Sequence, residues 1–323
     1  MRHVCYHDHG GPEVLAVEEA DIPSPGPGQV LIRTEAIGIN YVDVQLRRET
    51  KPESIWYRSL PAALTGDAVG TVERAGADVD PALVGTRVAV LLDDGCADYV
   101  VADADWLAPA PAGLGAGAAS LLPTVGAVAL GALRAGRFAA GETVLVTAGA
   151  GAIGHIAVQL AKLRGAGTVI ATAGSAAKLG FLKEMGADVA VDYNEPDWAD
   201  QVRLAAPSGV DVILEGVGGD ILHTSIGLLA PFGRVVVFGA SAGELTSVPV
   251  RSLFALKSVT GFSLLAWRAI DPEQARADIT ELTGLLESGA LRAVTRALPL
   301  ADATEAHRLL ESRNVTGRLL LVP

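Results

Sequence analysis

The sequence predicts an α/β fold in which a doubly wound parallel sheet, helices on both faces, is accompanied by a second, β-rich domain. Three observations carry this. From residue 143 to about 260, short β-branched strands alternate with helix-length segments, as parallel sheets built by crossover connections require. The first of these units turns on Gly149-Ala150-Gly151-Ala152-Ile153-Gly154, a full G-x-G-x-x-G between a strand and a helix. Ahead of it, from Arg2 to about Ala110, short strands are separated by Gly and Pro with little helical periodicity, the pattern of an irregular barrel. With 323 residues, half of them hydrophobic, the chain is long enough for two domains with a large core.

In the amino-terminal part, strands are expected over 1–6, 14–18, 29–37, 66–75, 87–92 and 97–102. His3, Cys5, His7 and His9 alternate, so an extended strand places all four on one face, a set of zinc-ligand types. A single strand splays such ligands, and the four are read as a strand surface near a turn, with no metal assigned. Residues 106–133 contain no charge, but Pro109, Pro111 and Pro123 interrupt them and Ala and Gly make up their bulk. A buried hinge between domains is expected there, not a membrane span.

The middle of the chain is regular. A strand over 143–147 leads through the glycine turn into a helix over 153–163, and a strand over 168–172 follows. Such a turn lets backbone approach a pyrophosphate, and the helix behind it aims free N–H groups and its positive dipole end at the anion. An NAD enzyme places a carboxylate at the end of the second strand for the ribose 2′-hydroxyl. Here the residues are Ala173-Gly174-Ser175-Ala176-Ala177-Lys178, with no acid but a hydroxyl and a cation, so NADP(H) is the expected cofactor. Further strands are expected over 188–192, 210–214, 234–238 and near Val259, with helices over 176–185, after Asp197 and over 219–229, the last ended by Pro231-Phe232-Gly233. Gly149, Ser175, Tyr193, Gly216-Val217-Gly218 and Gly239 then all fall at carboxyl ends of strands, where such sheets bind ligands. The tail is expected to contribute helices over 272–288 and 301–311 and strands near Val294 and over 317–322, and to pack onto the first domain, with substrate in a cleft between domains.

Charge and cysteines narrow the function. Lys plus Arg total 25 against 37 Asp plus Glu, a net charge of −12 that disfavours nucleic acid and anionic membrane as partners. Cys5 and Cys96 fit neither a disulfide framework nor a metal-ligand spacing, and the first residues lack the apolar core of a signal peptide, so a cytoplasmic setting is expected.

Segments along the whole length resemble the zinc-independent, zeta-crystallin-like quinone oxidoreductases of the medium-chain dehydrogenase/reductase superfamily. They are Gly10-Gly11-Pro12-Glu13-Val14-Leu15, Pro25-Gly26-Pro27-Gly28, Gly38-Ile39-Asn40-Tyr41-Val42-Asp43, the glycine turn with Ala157-Val158-Gln159-Leu160-Ala161-Lys162, Phe238-Gly239-Ala240-Ser241, Leu310-Glu311-Ser312-Arg313 and Thr316-Gly317-Arg318. The resemblance implies a GroES-like barrel from both termini, residues 1–122 and 262–323, around a Rossmann domain, residues 123–261, commonly as a homodimer. It implies cofactor contacts from Asn40, Gly149, Ala150, Gly151, Ile153, Gly154, Gly174, Ser175, Lys178, Tyr193, Val217, Phe238, Gly239 and Ser241. Lys178 and Tyr193 are placed at the 2′-phosphate and Asn40 beside the nicotinamide.

Zinc relatives carry a catalytic Cys where this chain has Asn40 and a His-Glu pair where it has Gly66-Asp67, so Lewis-acid alcohol oxidation is not expected. The implied reaction is hydride transfer from NADPH to a quinone or α,β-unsaturated carbonyl, with Tyr41 or water as proton source and Asp43 in a structural, capping role. Rival readings are an enoyl-thioester reductase, a non-catalytic NADPH-binding protein, and a membrane or RNA adaptor. Two departures stand out: Val128 occupies a position where many relatives have Thr, and the loop after Leu46 carries Trp56 and Tyr57, able either to stack on a flat ring or to close over the barrel.

Overall fold

A computed structural model describes residues 1–243 and 245–323. The chain forms two compact units, Met1–Thr124 with Ala293–Pro323, and Val125–Arg292.

The second unit is built on six parallel strands in the spatial order Val189–Asp192, Thr168–Ala173, Thr143–Val146, Val210–Glu215, Leu229–Val237, Ser258–Gly261. In chain order this is 3-2-1-4-5-6, whose direction reverses between Thr143–Val146 and Val210–Glu215, the place where such sheets open a ligand crevice. Strands covered on both faces must be apolar throughout, and Val144, Leu145, Val146, Val212, Ile213 and Leu214 are fully buried. One face packs Leu145, Ile170, Val191, Ile213 and Val235 against Trp198, Val202, Leu222 and Ile226 from the crossover helices.

Two expectations for this unit change. Pro231-Phe232-Gly233 lies inside the strand Leu229–Val237 as an irregularity instead of preceding it: the register shifts between Val210 and Val212, and Phe232 has φ 65. A bulge tolerates a residue without an N–H, so the proline does not end the element. The return to the barrel comes at Ala293, not at residue 262. The helix Pro272–Glu287 packs on the helix Val125–Ala135, where Arg134 bonds Asp278 at 2.7 Å and Glu281 at 3.0 Å, while Gln159 both donates to Arg292 O (3.0 Å) and accepts from Arg292 N (2.8 Å). The tail helix thus finds its ionic and apolar partners on the nucleotide-type unit. The charge-free segment contributes that buried helix Val125–Ala135, and no helix of the described residues is long and apolar enough to cross a membrane.

In the first unit, Gln29–Gly38, Gly66–Ala75, Arg87–Leu92, Tyr99–Asp103, Ala108–Pro109, Thr295–Pro299 and Arg318–Val322 form one curved sheet; Leu15–Glu19, Arg2–Tyr6 and Ala62–Ala63 form another. The last strand pairs Leu320 with Gly38 and Leu321 with Ile37, so the carboxyl terminus is stitched beside Asn40. A helix, Val42–Arg48, starts directly after the Asn40-Tyr41 corner and buries Val44, Leu46 and Arg47; sequence periodicity did not mark it because it is only seven residues long.

Candidate active site

The helix Ala152–Leu163 begins at Gly151, which is extended (φ −80, ψ −178) and supplies no side-chain cap, so its first-turn N–H groups have no capping side chain from that position. The glycines are required unequally. A Cβ on Gly154 would overlap the Ala148 carbonyl oxygen and lie 2.6 Å from Gly149 Cα. One on Gly149 would meet Ala171 Cβ and Leu182 Cδ2 at 3.0 Å, and one on Gly151 only the Ala148 oxygen at 3.3 Å. Gly154 and Gly149 therefore pack helix to strand, whereas Gly151 leaves a cradle above the backbone. Ala148 sits at φ 48, and Gly149 N donates to Thr172 O at 2.7 Å, fixing the turn against the second strand. Ala150 is buried and Ile153 half-buried on either side of the cradle.

At the end of that second strand Gly174, Ser175 and Lys178 are half-buried. Tyr193, from the end of the third strand, reaches over them: its hydroxyl would lie 2.8 Å from a Cβ on Gly174. Asn194, which sequence reading passed over, donates from Nδ2 to Gly174 O at 2.7 Å and ties the same loop. A hydroxyl and a cation thus lie on a loop, residues 173–178, that holds no carboxylate, with a phenol from the next strand end beside it, the donor set for a phosphate. Together with the cradle, this fits NADP(H).

The turn after Val210–Glu215 is organised by a side chain that no motif marks. Glu215, fully buried, accepts from Val217 N at 2.8 Å, Gly218 N at 2.9 Å and Thr147 Oγ1 at 3.1 Å, and Thr147 Oγ1 in turn accepts from Gly216 N at 3.0 Å. Burial pushes the Glu215 carboxyl up from its ordinary range, against the pull of these donors. Ser241 N donates to Gly216 O (3.1 Å), Ala242 N to Val217 O (2.8 Å), and the Phe238 ring lies 2.7 Å from where a Gly216 Cβ would be. Val217, Phe238, Gly239 and Ser241 are therefore one tied pair of loops at the reversal of strand order.

In the barrel unit, Asn40 is held by a buried ion pair. Arg318 and Asp67, both without exposed surface, bond each other; Asn40 Nδ2 donates to Asp67 Oδ2 at 3.3 Å, and Arg318 Nη2 donates to Asn40 Oδ1 at 3.3 Å. These partners fix which way the amide faces, and by stoichiometry leave one N–H and one lone pair for a ligand. Thr124 Oγ1 also donates to Asp67, so a hydroxyl does follow the hinge proline, four residues before buried Val128. Gly38 is needed here because Arg318's guanidinium occupies the space a Cβ would fill.

Tyr41, half-buried, opens the helix Val42–Arg48. Asp43 is structural through a different contact from the expected cap: its carboxylate accepts from Thr65 N (2.8 Å) and Thr65 Oγ1 (2.9 Å), and burial raises its pKa to about 7. Tyr57 packs on the His9 ring with centroids 5.5 Å apart, and His9 on Tyr6 at 6.3 Å, so this aromatic closes over the barrel's own side chains.

A chain carrying both a 3-2-1-4-5-6 nucleotide-type sheet and a barrel completed by its own carboxyl terminus is a medium-chain dehydrogenase/reductase. The family model for the zinc-binding dehydrogenases matches residues 152–284, and that for the alcohol dehydrogenase GroES-like domain matches residues 26–130. A quinone oxidoreductase of Pseudomonas aeruginosa is 32% identical, covering 100% of this chain and 99% of its own length. A 2-haloacrylate reductase of Burkholderia sp is 30% identical over 98% of this chain and 97% of its own. The crystal structure of Escherichia coli quinone oxidoreductase complexed with NADPH superposes with a TM-score of 0.91 at 30% identity, over 100% of both chains. The chain belongs to the zeta-crystallin-like quinone oxidoreductase family of that superfamily.

Proposed function

We propose that this protein is an NADPH-dependent oxidoreductase that reduces a quinone or an α,β-unsaturated carbonyl compound without using zinc. The observation that carries the cofactor assignment is the helix end without a side-chain cap behind Gly149–Gly154, combined with Ser175 and Lys178 on an acid-free loop over which Tyr193 reaches from the end of the third strand. Bound there, NADPH supplies a hydride for an electron-poor carbon. The protein's residues divide the remaining work. Backbone N–H groups at the start of the helix take the diphosphate, and the Lys178 loop takes the 2′-phosphate. Asn40, its amide orientation set by Asp67 and Arg318, offers one donor and one acceptor to the nicotinamide side. The oxyanion formed on the acceptor is protonated by Tyr41 or by water. Catalytic zinc is left out because Asn40 is not a zinc ligand of the usual kind and Asp67 is already neutralised by Arg318.

The reading includes a homodimer. Ser258–Gly261 is an edge strand, and Val250, Phe254 and Leu256 beside it in sequence expose 68%, 78% and 61% of their surface, a combination proteins cover by association. It places the protein in the cytoplasm, where Cys5 and Cys96 stay as thiols.

The test follows NADPH absorbance against a benzoquinone, a 2-haloacrylate, a simple enone and a crotonyl thioester, before and after chelator treatment. Turnover of the quinone or enone that survives chelation supports the proposal. Turnover of the thioester alone would move the assignment to fatty-acyl chemistry, and tight NADPH binding with no turnover would make the protein non-catalytic.

A further inference from the structure

The amino-terminal hairpin gathers metal-ligand side chains that the oxidoreductase reading does not use. Arg2–Tyr6 pairs antiparallel with Leu15–Glu19, and the register sets His3 opposite Glu18 and Cys5 opposite Ala16. Alternation puts His3 and Cys5 on one face, and the small Ala16 leaves Glu18 room to reach both. An imidazole nitrogen of His3, Cys5 Sγ and a Glu18 carboxylate oxygen all lie within 4.8 Å of one another. His7, just past the strand, adds its Nε2 at 2.9 Å from Glu18 Oε1 and 3.9 Å from Cys5 Sγ. Ligands at about 2.0–2.3 Å around a tetrahedral ion stand roughly 3.3–3.8 Å apart. The observed spacings need little more than side-chain rotation to meet that, since one strand's splay is cancelled by a ligand from its neighbour. Among the described residues this is the one cluster of its kind, and it lies outside the Asn40 corner and the glycine turn. His9 does not join it, being packed between Tyr6 and Tyr57.

We propose that His3, Cys5 and Glu18, with His7 as fourth ligand, bind a borderline-soft divalent metal, zinc by preference, that pins the amino-terminal hairpin. One thiolate, one or two imidazoles and one carboxylate form a zinc-type donor set, poorly suited to calcium or magnesium. Cys5 is buried at the floor of the site while His7 and Glu18 are 57% and 42% exposed, which provides a route for the ion. Asp94 places a further negative charge close enough to act on both His3 and Cys5. The role is structural, so it is compatible with a reaction that uses no metal.

The test uses the full-length chain without an affinity tag, stripped by chelator and titrated with Co2+ as a spectroscopic probe, then with Zn2+. The expected result is one equivalent of Co2+ with a thiolate-to-cobalt charge-transfer band that Zn2+ displaces. C5S abolishes the band, H3N and E18Q each weaken binding ~10-fold or more, and C96S, at the other free cysteine, leaves it intact. E18Q, at a partly exposed position, reports even where C5S fails to fold. Absence of the band in the wild-type protein, its survival in C5S, unchanged Co2+ affinity in both H3N and E18Q, or its loss in C96S would overturn the assignment.

Discussion

Gly151→Ala separates a ligand's demand for space from the fold's own. Gly151 is extended at φ −80, a conformation alanine adopts freely, and its added methyl would touch only the Ala148 oxygen at 3.3 Å. Alanine caps a helix less well than glycine, by roughly half a kcal/mol, while the stiffer unfolded chain returns about 0.4–1 kcal/mol. Net stability should therefore move by less than ~0.5 kcal/mol, or about 1–2 °C in Tm. A diphosphate seated against this backbone meets the methyl instead. Displacing it from one or two helix N–H groups removes charge-assisted hydrogen bonds at ~1.5–3 kcal/mol each, about 10- to 150-fold in Kd for the first alone. Calorimetric titration of NADPH into G151A, beside a thermal melt, reads both quantities. Unchanged NADPH affinity with unchanged Tm would refute the placement of the diphosphate. Gly154→Ala is the counterpart: its methyl would meet backbone on two sides, so stability itself falls by ~1–3 kcal/mol.

Lys178→Glu should weaken NADPH by ~30-fold or more and NADH by less than ~3-fold, since only the former carries the phosphate a cation would bond; equal losses in paired titrations remove Lys178 from that role. Arg318→Met leaves Asp67 buried without its cation and should cost ~3–5 kcal/mol in denaturant unfolding, together with cofactor turnover through Asn40; a near-neutral result denies the ion pair its positioning role. Asp43 has a folded pKa of about 7, above its unfolded value, so the folded state holds an extra proton in between. Its contribution to stability is full below pH ~4 and is lost as pH rises toward 7, at a slope of up to ~1.4 kcal/mol per pH unit. Asp43→Asn should flatten that slope, and an unaltered profile would show that another group sets it. Phe254→Glu should convert a dimer to a monomer by light scattering; a wild-type monomer contradicts the proposed association.

The parallel sheet was legible because strands buried on both faces and a glycine turn between strand and helix leave a strong local pattern. Lys178, Ser175 and the missing acid were legible because they follow in the chain from the second strand. What sequence reading missed is carried by contacts distant in sequence. Asp67 and Arg318 meet only because the last strand pairs with Gln29–Gly38, and Glu215 reveals its role only once the three donors around it are in place. The amphipathic stripe of the tail helix Pro272–Glu287 says that a face is buried, not against what; its ion pairs with Arg134 and Arg164 fix it to the nucleotide-type unit, not to the barrel. The seven-residue helix after Tyr41 was too short to show a period. Glu18 was missed as a partner of His3 and Cys5 because register, not spacing, brings it there.

The most direct measurement is a pair of calorimetric titrations of the purified protein, one with NADPH and one with NADPH's 2′-dephosphorylated counterpart, NADH. If the Gly149–Gly154 cradle and the Lys178 loop hold the coenzyme as described, NADPH binds once per chain and at least ~10-fold more tightly than NADH. Failure of both to bind, or tighter binding of NADH, contradicts the account at its base.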